Sequence, residues 1–222
     1  MGAGVIFYYA VLEWWRVWRK DQFHPWFWSA LAVVAIGFAA LRIIAKLRVA
    51  HQHREGRDGE RLVAERLDEL RSDGFHPLHD LIAGDFNIDH VLIGPSGIFA
   101  IETKTLGKRG GAEEKAGFDG KEITIRGKSL PRNPVAQACA NAGWLRDFLR
   151  ESTGRAFPVT PVVMLPGWYV AAQVPMREVL VLNGHPNGLQ SYIVKQPERL
   201  LPEDIALVKT HLSLFIRKPR QS

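Results

Sequence analysis

Cysteine is almost missing from this chain: Cys139 is the one thiol in 222 residues. No internal disulfide can form, and no thiolate cluster can hold zinc. The apolar neighbours of Cys139 predict a buried thiol, which fits a reducing compartment. There is no internal repeat and no low-complexity segment. No Gly-rich loop runs into Lys-Ser or Lys-Thr, so P-loop nucleotide hydrolysis is excluded. The first fifteen residues contain no Lys or Arg. No small-residue cleavage site follows the first apolar run, which argues against a cleaved signal peptide. His76 and His79 are spaced loosely like metal ligands, but so weak a pair more often marks a surface or a turn.

What is present divides unevenly. The net charge is +6, and residues 1–57 hold eight Lys/Arg against three Asp/Glu. The remaining residues are nearly balanced, so the basic excess belongs to the N-terminal segment and does not by itself imply nucleic acid. From Trp26 to Leu41 there is no charge, and Arg42 and Lys46 can snorkel. The span of about 26–47 therefore approaches the roughly 20 residues that cross a bilayer. Five of the seven Trp lie before residue 30, as in an interfacial belt. Val5 to Val17 is apolar but broken by Glu13 and Arg16, and could span or lie in the interface. Residues 1–48 thus read as a membrane anchor, one helix or a helical hairpin, contacting lipid. The alternative is a buried helix of a soluble protein. Arg42, Lys46, Arg48, Arg54 and Arg57 follow the span and put the rest of the chain on the cytoplasmic side of a bacterial-type inner or plasma membrane. Arg16, Arg19 and Lys20 argue the other way.

Residues 49–57 read as a polar linker and 58–222 as the soluble domain. A helix from Gly59 to about Leu70 carries Val63, Leu67 and Leu70 inward. Glu60, three residues before Val63, shares that face, although it could simply complement the helix dipole. Phe75 to Ile82 is a strand, and Gly84-Asp85-Phe86-Asn87 a turn. Residues 105–132 are loop-like, with a short strand near 122–126. They hold Lys108, Arg109, Lys115, Lys121, Arg126, Lys128 and Arg132 against four acids. That surplus is either solvated or contacts an anionic backbone. Asn133-Pro134 starts a helix to about Leu149. In it Gln137, Asn141, Trp144 and Phe148 form one stripe, with Gln137 in its first turn. Short strands at 159–165 and 179–182 and a helix from Pro202 complete a mixed-sheet α/β domain.

The strongest local signal is a hairpin. Ile88-Asp89-His90-Val91-Leu92-Ile93 and Ile98-Phe99-Ala100-Ile101-Glu102-Thr103-Lys104 flank Gly94-Pro95-Ser96-Gly97. With the turn centred between Pro95 and Ser96, Asp89 falls opposite Glu102, their Cβ atoms roughly 5 Å apart. Lys104 lies on the same face. Like charges facing each other destabilise a sheet. Solvated charges on an exposed hairpin would be the ordinary explanation. Here Val91, Ile93, Ile98 and Ala100 carry the same face into a core, so the acids lie at the end of a buried strand, as in a site with a cation between them.

Gly59-Glu60, the Ile88–Gly94 and Gly97–Lys104 segments and Gln137 together resemble the nuclease-related domain (NERD) family of the PD-(D/E)XK nuclease superfamily, over about residues 56–165. The superfamily pattern has Pro before the Asp, where this chain has Ile88. The resemblance implies a restriction-endonuclease-like mixed sheet with flanking helices. It implies that Asp89, Glu102 and the Thr103 carbonyl ligate Mg²⁺ or Mn²⁺. Lys104 would orient or activate water, with Glu60 and Gln137 assisting. Lys108, Arg109, Lys115, Lys128 and Arg132 would then meet nucleic acid, DNA in the first instance. The expected activity is a membrane-anchored, metal-dependent nuclease, with a homodimer as one possibility. The alternative is a catalytically weak or inactive module binding nucleic acid or a partner.

Overall fold

The computed structural model describes residues 2–19, 25–83, 86–107, 115–130, 132–176 and 178–217. The chain divides into two compact units, Met1–Arg54 and Glu55–Ser222.

In the first unit, α1 (Gly2–Trp18) packs against the early part of α2 (Pro25–Glu69). Ala10 and Ala32 are buried there, Tyr9 stacks on Trp28 at 6.0 Å, and the Trp14 indole N–H donates to Ser29 Oγ at 2.7 Å. Glu13 is buried and paired with Arg16 at 2.9 Å. The remaining surface is strongly apolar: Val33 is 70% and Val34 68% exposed. Trp26–Leu47 is long and apolar enough to cross a membrane.

The second unit is built on a five-stranded mixed sheet, ordered β1-β2-β3-β7-β9. Its strands are β1 (His76–Ala83), β2 (Phe86–Gly94), β3 (Gly97–Thr103), β7 (Val159–Met164) and β9 (Leu180–Leu182). The first three pair antiparallel, and β3, β7 and β9 run parallel. Helices α3 (Pro134–Thr153) and α5 (Pro202–Arg217) cover one face. There Val91, Ile93, Ile98 and Ala100 meet Ala142, Leu145, Leu149, Val208 and Leu212. The end of α2 and the short α4 (Pro186–Leu189) cover the other face, where Val63, Leu67 and Leu70 meet Leu92, Phe99 and Ile101. Both faces of β3 are therefore dry, and its run of Ile, Phe and Ala is what a doubly covered strand requires. This is the mixed-sheet α/β architecture that the element order implied.

Beside it lies a second sheet, ordered β6-β5-β4-β8, from β4 (Lys115–Phe118), β5 (Ile123–Ile125), β6 (Lys128–Ser129) and β8 (Tyr169–Ala172). It buries Ala116, Phe118 and Ile123 against Val135, Ala138 and Val181. The segment read as mostly loop thus contributes three short strands. Residues this short carry too little periodicity to be seen without their partners.

Several local expectations change. Residues 49–57, read as a linker, are helical within α2. They contain no Pro, and one Gly costs a helix only about 1 kcal/mol. Phe86 and Asn87 open β2 and do not form a turn, while Gly84 and Asp85 lie outside the described residues. Asn133 caps α3 as expected, its Oδ1 accepting the N–H groups of Val135 and Ala136 at 3.0 and 3.4 Å. The helix continues past Leu149 to Thr153. Its inward face is Val135, Ala138, Asn141, Ala142, Leu145 and Leu149. Cys139 is consequently exposed, not buried, because it lies one residue round from Ala138.

Candidate active site

The hairpin pairs as its turn chemistry dictates. Gly94 opposes Gly97, Ile93 opposes Ile98, and the recorded pairing ends at His90 opposite Ile101. Gly97 has φ +143, which few side-chain-bearing residues tolerate. A side chain at Gly94 would collide with the ring of Phe75. Both turn glycines are therefore required, and they hold the register that sends Asp89 and Glu102 to one end of the sheet.

One step beyond the last backbone pair, a side chain takes over. The Thr103 N–H donates to Asp89 Oδ2 at 2.7 Å. Glu102 is only 7% exposed, and its Oε2 accepts from the Asn141 amide at 3.3 Å. Lys104 follows, half-buried, its backbone N–H donating to Met164 O at 2.8 Å. Burial pushes Glu102 up to about 8. The Asp89 charge adds to the shift, while Lys104 and the Asn141 hydrogen bond oppose it. Burial likewise lifts Asp89 to about 6 against the Thr103 hydrogen bond, and the charges of Glu60 and Asp80 push the same way.

Glu60 reaches this group from α2. It is exposed and does not join the inward stripe, which runs Gly59, Val63, Leu67. Its carboxyl is nonetheless raised, by burial first and then by Asp80, with Arg57 opposing. Gly59 explains the placement. A Cβ there would strike Thr105, the residue after Lys104, and Thr105 Oγ1 donates to Gly56 O at 3.3 Å. A glycine at 59 thus lets the helix and the strand end touch.

Two site residues escaped sequence reasoning. Asn141, not Gln137, is the α3 residue that touches a carboxylate. Gln137 is exposed one turn earlier, because the helix presents Ala138 inward at that level. Asp80 is the other. The β1–β2 pairing runs His79 to His90 and Leu81 to Ile88, skipping Asp80 and Asp89. Asp80 has φ +54, an uncommon conformation for a non-glycine residue, and its charge is felt by both Glu60 and Asp89. A lone acid inside the apolar stretch Pro77–Ala83 was the available signal.

His79 pairs with His90 and not with His76: their Nδ1 atoms are 2.9 Å apart. His79 Nε2 lies 3.5 Å from Asp68. Burial holds His90 down at about 4, so it is neutral. Lys115, Lys128 and Arg132 are exposed; the first two sit on the second sheet. Lys108 and Arg109 lie outside the described residues.

The side chains gathered here are oxygen donors: the carboxylates of Asp89 and Glu102, with those of Glu60 and Asp80 close enough to feel their charge. Hard divalent cations with water-completed shells suit such a set better than zinc does. Among the described residues, no three Asp, Glu, His or Cys side chains converge tightly enough to hold an ion by themselves. Backbone, water or substrate oxygens would have to complete the shell.

Comparison with known families gives one match, to the nuclease-related domain, over residues 55–166. No curated protein and no solved structure matches the chain. The chain belongs to the nuclease-related domain family, whose general kind is the PD-(D/E)XK superfamily.

Proposed function

We propose, from this family membership and from the site, that the protein is a membrane-anchored nuclease that hydrolyses DNA phosphodiester bonds with Mg²⁺ or Mn²⁺. The observation that carries the reading is the meeting of partly buried Asp89 from β2 with buried Glu102 from β3, with Lys104 beside them. A fold gains nothing from drawing two carboxylates together away from water, since their charges then repel strongly. A divalent cation reverses that cost, and when bound it supplies charge neutralisation at the phosphate and a more acidic water. Asp89, Glu102 and the Thr103 carbonyl would hold it. The Thr103 N–H fixes the Asp89 carboxylate, and Asn141 fixes that of Glu102. Lys104 places a positive charge where the phosphate gains negative charge, and Glu60 and exposed Gln137 position the water and the strand. Lys108, Arg109, Lys115, Lys128 and Arg132 would engage phosphates farther along.

Trp26–Leu47 provides the anchor, its exposed apolar surface facing lipid. The basic residues from Arg42 onward keep the sheet domain on the cytoplasmic side.

The test is cleavage of single-stranded, duplex and branched DNA by the full chain in detergent. Activity with Mg²⁺ or Mn²⁺, lost by at least a thousandfold in Asp89→Ala, is expected. No cleavage of any of these substrates by the wild type would sink the proposal. A second reading draws on the lack of three converging side chains among the described residues: a module that keeps the fold and binds nucleic acid without cutting. It predicts salt-dependent DNA binding unchanged by Glu102→Ala.

A further inference from the structure

A cavity of about 230 Å³ lies beyond the family-matched residues, bordered by Tyr169 and Tyr192. The sheet register places it. Thr103 pairs with Met164, and Met164 with Leu182. The Lys104 N–H donates to Met164 O, and the Leu165 N–H to Leu182 O at 2.7 Å. Asn183 and His185 therefore leave β9 at the same end of the sheet at which Lys104 leaves β3. Two strand spacings separate them, or ~10 Å.

The walls have a particular chemistry. Tyr169 is 61% and Tyr192 44% exposed, so neither ring is consumed by the core. Val181 and Leu182 supply an apolar floor. Asn183 Oδ1 accepts the His185 N–H at 2.9 Å, leaving its amide hydrogens as donors. His185 Nδ1 accepts the Asn187 N–H at 3.3 Å, so in the neutral ring the proton sits on Nε2. Lys115 Nζ lies 5.9 Å from the Tyr169 ring centre, a cation beside that ring. Exposed aromatic rings, amide and imidazole N–H donors and a neighbouring cation are the parts that bind a base and its phosphate.

The geometry points to a subsite for one unpaired base of a nucleic-acid strand whose backbone passes Asp89 and Glu102. The inference rests on the nuclease reading for its substrate class and adds a strand preference to it. A paired base is stacked inside its helix and cannot enter a side-chain cavity without being extruded. The subsite therefore favours single-stranded ends, flaps or gaps over intact duplex.

The test uses the full chain in detergent, with Tyr169→Ala and Tyr192→Ala. Binding of a fluorescein-labelled single-stranded DNA 12-mer and of the matching blunt duplex is followed by anisotropy in EDTA. Cleavage is followed separately with Mg²⁺. Each variant should weaken single-strand binding about tenfold, the size of one lost stacking contact. Duplex binding should stay within about twofold, and Tyr169→Trp should restore wild-type affinity. Melting temperatures check folding, and exposed Tyr169 carries the test if Tyr192→Ala does not fold. Unchanged single-strand affinity in the folded variants, equal loss on duplex, or no single-strand binding by the wild type would each overturn the subsite. Tyrosine-dependent binding with no cleavage of any substrate would overturn the nuclease reading and leave the subsite standing.

Discussion

Two apolar runs dominate this chain, and they meet opposite fates. Trp26–Leu47 leaves its aliphatic side chains in the open, Val33 and Val34 roughly two-thirds exposed. Ile88–Ile101 buries its aliphatic residues completely, with Ile88, Val91, Ile93, Ile98 and Ile101 all at 0% exposure. Apolarity alone does not separate them; period and company do. A strand offers two faces and finds a helix layer for each. A helix that is apolar all round needs a surrounding that is apolar all round, which water is not. The charges follow the same logic. Arg42 and Lys46 lie near the end of a run that lipid would cover and can snorkel out. Glu102 ends a run covered by protein, and it stays buried.

The sharpest way to break this contrast is to place a charge in each run. Ile101→Asp should abolish folding of the sheet domain, because an unpaired buried carboxylate costs a large part of a typical 5–15 kcal/mol stability. Val33→Asp with Val34→Asp should leave the thermal transition of the sheet domain unmoved but shift the chain from the membrane to the soluble or aggregated fraction. Each such residue costs about 3 kcal/mol at the centre of a span. Equal destabilisation by both changes would show that Trp26–Leu47 is a buried helix.

A smaller effect tests whether the strand-end charges are truly unsolvated. Glu102 and Asp89 titrate above the ordinary carboxylate range, so without metal the folded state holds their protons more tightly than the unfolded state does. Their contribution is fully present below about pH 4 and is lost as pH rises through about 6 and then about 8. His90 acts in the opposite sense. Held near 4, it adds stability as pH rises from about 4 to the ordinary histidine range near 6.5. Above about pH 6.5, Glu102 is the one of these three groups whose loss continues. In EDTA the melting temperature should fall by several degrees between pH 6.5 and 8.5, and Glu102→Gln should flatten that slope. A wild-type melting temperature that is constant or rising over this interval would refute the assignment.

The smallest effects separate the two polar residues of α3. Asn141→Ala removes the hydrogen bond to Glu102 Oε2 and should reduce metal-dependent activity by roughly tenfold, as lost supporting contacts at metal sites do. Gln137→Ala, on an exposed side chain, should change the melting temperature by no more than a degree or two. A stability loss from Gln137→Ala matching that from Asn141→Ala would reverse their placement.

Sequence reasoning reached what short-range chemistry controls. The Gly-Pro-Ser-Gly turn sets the 94-to-97 pairing, and every recorded pair back to His90 and Ile101 follows from it. Asn133-Pro134 caps a helix because two backbone N–H groups there need an acceptor. The apolar stretch Trp26–Leu47 makes a helix long enough for a bilayer, whatever surrounds it. These properties reside in a few adjacent residues, so reading the chain was enough to bring Asp89, Glu102 and Lys104 to the open end of one hairpin.

The rest depended on how distant elements pack. The rotation of α3 about its axis is set by side chains from β3, β7 and α5, and that phase turns Asn141 inward while exposing Gln137 and Cys139. Asp80 joined the carboxylates only because β1 breaks its pairing opposite Asp89. The tyrosine-lined cavity needed β8, β9 and α4 to assemble around it. Periodicity shows that a helix or strand has an inner face. The partners brought by the fold decide which residue on its margin touches the site.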